Sequence, residues 1–253
     1  MSYKLKANAK SYKLHTPFRI SRGVKETAEV VEVTLFQGDR TGKGECVPYA
    51  RYGESVETVL AQILNFKETI ETGISRKQLL DLLPPGAARN AIDCALWSLE
   101  AGKRPKPSHI FSAQTVPLAE AEEMAKTARH LKSSVLKLKL GGAEDLDKLK
   151  AVHQASPTKR IIIDANEGWT IDTLDGFMPE FLECGVKMIE QPLPAGEDDT
   201  LKGYQSPIPI YADESAHTSE DLADLKGKYT GVNIKLDKTG GVLEAQRMKQ
   251  KAV

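Results

Sequence analysis

Five charged residues in the second half of the chain recur at intervals of 22 to 26 residues: Lys139, Asp164, Glu190, Asp213 and Lys235. Each ends a short apolar run, so each interval is the length of one strand plus one helix. Three carboxylates brought together are hard oxygen donors suited to Mg²⁺. The chain has no His–Cys cluster that would point to zinc instead. A magnesium ion beside a substrate carboxylate can stabilise the dianionic enediolate formed when an α-proton leaves. A lysine can remove that proton only when uncharged. An ordinary lysine titrates near ~10.4, and catalytic ones are brought to roughly 7–8 by burial and neighbouring positive charge. In "SVLKLKLGG", Lys137 lies two residues before Lys139, on the same face of a strand. Its like charge would help hold Lys139 neutral, and it could also meet the substrate carboxylate.

These residues need elements to position them. The strand candidates are "FSAQTV", "VLKLKL", "RIIIDAN", "KMIEQP", "IPIYADES" and "GVNIKLD". Helical patterns alternate with them: "AEAEEMAKTARHL", "AEDLDKLKAVHQ", "IDTLDGFMPEFLECG" and "TSEDLADLKGK". Such alternation predicts a parallel sheet with right-handed crossovers. A doubly wound sheet and a (β/α) barrel both satisfy it. In a barrel the C-terminal strand ends share one mouth, whereas in an open sheet the outer members of the set would lie too far apart to cooperate. Taken singly, Asp164 or Asp213 could cap a turn or helix, Glu190 could be an exposed strand end, and Lys139 and Lys235 solvated loop lysines. All five such readings would have to hold at one repeating place, which favours the barrel.

The first hundred residues have another texture. "AEVVEVTLFQGDRTGKGECV" reads as two strands joined at Gly38 and Asp39, and helical stretches follow around "SVETVLAQILNFKETI" and "GAARNAIDCALWSLEA". Ser55 is placed to cap the first helix. This is an α+β unit, joined to the rest by the charged, proline-containing "AGKRPKPSH". Domains at 1–105 and 110–253 follow. The 35 basic and 35 acidic residues cancel, which argues against a nucleic-acid or anionic-membrane partner. The N-terminus lacks the apolar segment of a signal peptide, and no run is long enough to span a membrane. Cys46, Cys94 and Cys184 are scattered and odd in number, as for reduced thiols in a cytoplasmic protein.

The set "KLKL", "DAN" at Asp164, "EQP" at Glu190, "ADES" at Asp213 and "KLDKTGG" at Lys235 resembles the enolase superfamily, in its muconate-lactonizing subgroup. The general lysine-and-magnesium chemistry of that superfamily is established. "TPFRISRG", "GECVPYARYGES" and "GAARNAIDCALW" are most similar to dipeptide epimerases. The resemblance implies an α/β fold: a modified (β/α)7β TIM-like barrel under an N-terminal α+β capping domain. It implies Asp164, Glu190 and Asp213 as Mg²⁺ ligands, with Lys139 and Lys235 on opposite faces of the α-carbon of a dipeptide residue. One lysine would remove the proton and the other return one, inverting the centre. By similarity, Arg22 in the first cap loop would meet the distal carboxylate of a glutamyl residue. Thr115, on the first barrel strand, would lie near the substrate carboxylate together with Lys137. "CVPYARYGES" would form a lid, and the small-molecule product would enter cell-wall peptide recycling. Trp97, Trp169 and the five histidines are expected to be structural, and Gly240 and Gly241 to permit tight backbone. Six barrel strands are countable and the chain ends in the helix after the sixth. The family's last two strands, with the aspartates that hold the α-ammonium group, are thus expected outside this sequence. Muconate cycloisomerisation, o-succinylbenzoate synthesis and an inactive remnant remain alternatives, and a homo-oligomer is open.

Overall fold

The computed structural model describes residues 2–20, 23–101, 110–142 and 144–252. Three antiparallel strands in the order β1-β2-β3 open the chain: β1 (Lys4–Ile20), β2 (Gly23–Gln37) and β3 (Arg40–Cys46). On β2 the buried residues Val31, Val33 and Leu35 alternate with Glu32 and Thr34, so one face carries the core and the other meets water. β1 extends through "TPFRI", a stretch that no sequence pattern above assigns to an element. The reason is register: Phe18, Arg19 and Ile20 pair with Lys25, Val24 and Gly23, after an irregularity that follows Lys13.

Four helices cover this sheet: α1 (Val56–Asn65), α2 (Lys67–Glu71), α3 (Arg76–Leu82) and α4 (Ala87–Ala101). The Ser55 hydroxyl accepts from the Thr58 N–H at 3.2 Å, capping α1 as expected. The long helical stretch breaks at Phe66, and α3, capped by Ser75, is an addition to the expected set. α4 lies unusually close to β3 because both surfaces are small. A Cβ on Gly44 would stand 2.0 Å from the Ala91 carbonyl oxygen, and one on Gly42 would stand 2.2 Å from that of Ala95. Ile63, Ile70, Leu79, Ile92 and Leu96 complete this core; each such side chain contributes roughly 1.5–3 kcal/mol by leaving water.

The second unit is a parallel sheet in sequential order: β4 (Gln114–Val116), β5 (Val135–Lys139), β6 (Arg160–Asp164), β7 (Val186–Glu190), β8 (Ile210–Ala212) and β9 (Gly231–Val232). Between them run α5 (Ala121–His130), α6 (Asp145–Ala155), α7 (Ile171–Glu183) and the single turn α8 (Leu222–Leu225), followed by α9 (Leu236–Thr239) and α10 (Val242–Lys251). The expected helix over "TSEDLADLKGK" shrinks to α8, since Asp221 bonds back to His217 and Thr218 N–H groups in a turn. Leu136 and Leu138 are fully buried in a core shared with Ile161, Ile163, Ile189, Trp169 and Phe181. Lys137 and Lys139 alternate with those leucines and so project to the opposite, inner face. That is why a leucine-rich strand carries two like charges: its other face lines the barrel mouth. Among the described residues no helix is long and apolar enough to cross a membrane.

Candidate active site

Register creates the site. Lys139 pairs with Asp164 on the neighbouring strand, and Asp164 with Glu190 on the next, so three of the five residues occupy one row. Glu190 pairs with Tyr211, which places Asp213 two residues further along, and Lys235 follows beyond the Ala212–Val232 pair. Across the sheet the order is therefore Lys139, Asp164, Glu190, Asp213, Lys235. One oxygen from each of the three carboxylates lies within 4.8 Å of the others. All three acids are buried, at 2% exposure or less.

Four ammonium groups meet those three acids. Lys139 reaches Asp164 Oδ2 at 2.5 Å and Asn166 Oδ1 at 3.0 Å. Lys137 reaches the same Asp164 oxygen at 2.8 Å and Glu190 Oε2 at 2.6 Å. Lys235 donates to Asp213 Oδ2. Lys238, from α9, donates to Asp213 Oδ1 at 2.6 Å. The sequence reading missed Lys238, although it stands in "KLDKTGG" three residues after Lys235, one helical turn away and hence on the same side. Thr115 is half-buried and pairs with Lys137 in the sheet. Arg22 lies outside the described residues.

The charges set the proton affinities. Burial alone would raise Asp164, but Lys139 and Lys137 outweigh it and hold the acid below the usual carboxylate range. Asp213 is also held below the usual range, with Lys238 and Lys235 overcoming its burial. Glu190 goes the other way, pushed up to about 7 by burial and by the neighbouring Asp164 charge. Burial works against the charge on Lys137, yet Asp164 and Glu190 raise its proton affinity above the ordinary lysine value. The positive charge of Lys137 is thus paired with two carboxylates. Lys235 is raised likewise, because Asp213 outweighs its burial.

Backbone strain shapes the mouth. Asn166, Glu167 and Gln191 have φ of 46°, 68° and 37°, a left-handed conformation uncommon outside glycine. At Asn166 it turns the N–H back onto Asp164 Oδ1 at 3.0 Å. The carboxamide oxygen of Gln191 accepts from the N–H groups of Asp213 and Ser215, fixing the next strand end. The loop after Lys139 is pinned by Asp145 Oδ2, which accepts from Gly141, Gly142 and the Trp169 indole. Trp169 is thus a packing residue, as expected.

The cap reaches this mouth. Arg51, in the "CVPYARYGES" loop, donates twice to Glu167, at 3.0 and 2.5 Å. The rings of Tyr52 and His217 meet edge-on at 4.7 Å. Glu54 ties the loop to the start of α4, accepting from Ala87 N–H at 2.7 Å. From α4, Arg89 donates to the Thr239 and Gly240 carbonyls, and Asn90 donates to Asp237 at 2.6 Å. Gly240 and Gly241, with φ of 67° and 119°, admit this contact: a Cβ on either would collide with Arg89 or Asp93 at 2.5 Å. Tight backbone is their role. Of the three free cysteines, Cys94 donates its thiol to Asn90 Oδ1 at 3.2 Å and Cys46 to the Val31 carbonyl at 3.6 Å.

The donor set fits a divalent cation. Three buried carboxylates that each bring one oxygen within 4.8 Å of the others are hard ligands in number and type for Mg²⁺. The sequence matches the profile of the mandelate racemase / muconate lactonizing enzyme N-terminal domain over residues 3–108, and that of the enolase C-terminal domain-like family over 118–252. It is 42% identical over 254 residues to the L-Ala-D/L-Glu epimerase of Escherichia coli, spanning 95% of this chain and 79% of that protein. The N-acetyl-D-glutamate racemase of a Pseudoalteromonas species is 39% identical, over 88% of this chain and 75% of the racemase. Among solved structures, an enolase family member from Agrobacterium tumefaciens with homology to dipeptide epimerases, holding sodium and L-Ala-L-Glu, superposes with a TM-score of 0.94 at 46% identity, covering 99% of this chain and 80% of that one. A dipeptide epimerase from Enterococcus faecalis, complexed with Mg and L-Leu-L-Tyr, gives 0.92 at 26% identity, covering 99% and 79%. The chain belongs to the enolase superfamily, in its mandelate racemase / muconate lactonizing enzyme branch.

Proposed function

We propose that this enolase-superfamily member is an isomerase that inverts the glutamyl α-carbon of an L-Ala-Glu dipeptide, using Mg²⁺ and two lysines. The observation that carries the proposal is the order across the sheet, in which a lysine stands at each end of the row of three buried acids. A planar carbanion protonated from the face opposite the one deprotonated gives the inverted centre, and one base alone would tend to return the original configuration. Lys139 Nζ and Lys235 Nζ are the two proton carriers. Asp164, Glu190 and Asp213 would hold Mg²⁺, which supplies positive charge beside the substrate carboxylate and takes up acid charge now paired with ammonium groups. Freed from part of that pairing, a lysine loses its proton more readily. Lys137 and Thr115, neighbours in register, would orient the substrate carboxylate, and Arg22 would meet the distal one. The Arg51–Glu167 and Tyr52–His217 contacts would close the lid and exclude water. A cytoplasmic place in cell-wall peptide recycling accords with the free cysteines and the dipeptide substrate.

Racemisation of an N-acylated glutamate is a second reading, favoured by the 39% identical racemase. Both substrates present the same glutamyl α-carbon. Incubation with L-Ala-L-Glu or N-acetyl-glutamate in D₂O, with and without Mg²⁺, separates the two by loss of the α-proton NMR signal and appearance of the epimer. Exchange in neither would refute both.

A further inference from the structure

Each acid of the trio has one oxygen held by an outer partner and one turned into the cluster. Asp164 Oδ1 accepts the Asn166 N–H at 3.0 Å, and Glu190 Oε1 accepts Asn233 Nδ2 at 2.8 Å. Asp213 Oδ1 accepts Lys238 Nζ at 2.6 Å. The remaining oxygens, Asp164 Oδ2, Glu190 Oε2 and Asp213 Oδ2, are the ones that the inner lysines reach. Of the three locks, Lys238 is the firmest. Its side chain is 1% exposed. Its ammonium also donates to the Asp213 carbonyl and, at 3.1 Å, to that of Asn233. All three of its protons are therefore spent on fixing Asp213 and the adjoining strand end.

We infer that Lys238 is a positioning residue that sets the choice of cation, by committing Asp213 Oδ1 and leaving only Oδ2 turned into the cluster. This rests on the reading of the trio as a divalent-cation site. Mg²⁺ demands six ligands at short, regular distances and suits carboxylates that each give one oxygen. Ca²⁺ accepts more ligands, and often takes both oxygens of a carboxylate. A site whose acids are all held to one oxygen favours the smaller ion. Releasing Asp213 Oδ1 or Glu190 Oε1 lets an acid turn both oxygens inward and improves the fit to the larger one. The loss of the Lys238 charge acts on both divalent ions alike, so it cancels in the ratio of their affinities.

The test uses the full chain and the metals alone. Mg²⁺ and Ca²⁺ each displace Mn²⁺, followed by the Mn²⁺ EPR signal, and the ratio of the Ca²⁺ and Mg²⁺ dissociation constants is read. In Lys238→Met the ratio should fall about tenfold, the lower end of what outer partners of metal ligands usually contribute. Asn233→Ala, which frees Glu190 Oε1 without leaving a buried charge unpaired, should move it the same way. It decides the matter alone should Lys238→Met not fold. Thr239→Val, which disturbs the same turn through bonds to the Leu236 and Gly241 carbonyls, should leave the ratio unchanged. An unaltered ratio in Lys238→Met or Asn233→Ala overturns the inference, and so does an equal fall in Thr239→Val. Failure of the unsubstituted protein to bind any of the three ions would instead overturn the metal reading beneath it.

Discussion

Asp237 joins the cap to the segment bearing Lys235 and Lys238, and its protonation should govern the strength of that joint. Its Oδ1 accepts from Asn90 Nδ2 at 2.6 Å and from the Val47 N–H at 3.3 Å. Among the described residues no ammonium donates a hydrogen bond to it, and burial, the largest influence, pushes the carboxyl from 3.8 up to about 6. The sign follows from linkage. A folded-state pKa above the unfolded one means that the acid stabilises the fold in full below about pH 4, and that this contribution is lost as pH rises through about 6. At ~1.36 kcal/mol for each tenfold change in proton affinity, the loss is roughly 3 kcal/mol at most. Water in the adjoining cleft lined by Tyr52, Glu54, His217 and Asp237 reduces it, to about 1–2 kcal/mol. Asp237→Asn keeps an oxygen for both donors and removes the charge. Relative to the unsubstituted chain, the variant should therefore gain about 3–6 °C in Tm between pH 4 and pH 8. Thermal unfolding followed by circular dichroism across that range measures it. A Tm difference that stays constant with pH, or that shrinks as pH rises, would refute the reasoning.

Other perturbations probe the cap and the lid. Gly44→Ala places a methyl 2.0 Å from the Ala91 carbonyl oxygen, so α4 must move off the sheet; a loss of about 3 kcal/mol should appear in chemical denaturation. Arg51→Ala removes both bonds to Glu167. Because the arginine side chain is 45% exposed, the pair contributes only about 0.5–1 kcal/mol. KM should rise about two- to fivefold with kcat little changed, and the salt dependence of KM should weaken, in initial-rate measurements at rising NaCl.

How far the sequence carries differs between the two halves of the site. Strand ends are written locally: an apolar run followed by Lys139, Asp164, Glu190, Asp213 or Lys235 shows both the element and the residue it delivers. Their common place follows from parallel register, which needs only compact repeating units. Lys238 was hidden because a lysine beside a loop reads as solvated, and only the fold shows it 1% exposed behind Asp213. Arg89, Asn90 and Asp93 were hidden for another reason. They look like polar positions on a cap helix, yet their partners at Asp237, Thr239, Gly240 and Leu243 lie about 150 residues away. No local pattern encodes such a contact. The strand character of "TPFRI" has no local signal either, since Phe18 to Ile20 pair with Lys25 to Gly23 across an irregular register.

Inversion through two bases requires a proton carrier at each end of the acid row, and single replacement of those carriers tests it most directly. L-Ala-L-Glu and L-Ala-D-Glu are incubated separately in D₂O with Mg²⁺ and the unsubstituted chain, Lys139→Ala or Lys235→Ala, and the glutamyl α-proton is followed by NMR. The unsubstituted protein should interconvert the two with deuterium at the α-carbon. Each variant should lose inversion, one still exchanging only the L,L dipeptide and the other only the L,D form. Normal epimerisation by Lys139→Ala or by Lys235→Ala would contradict the two-lysine assignment.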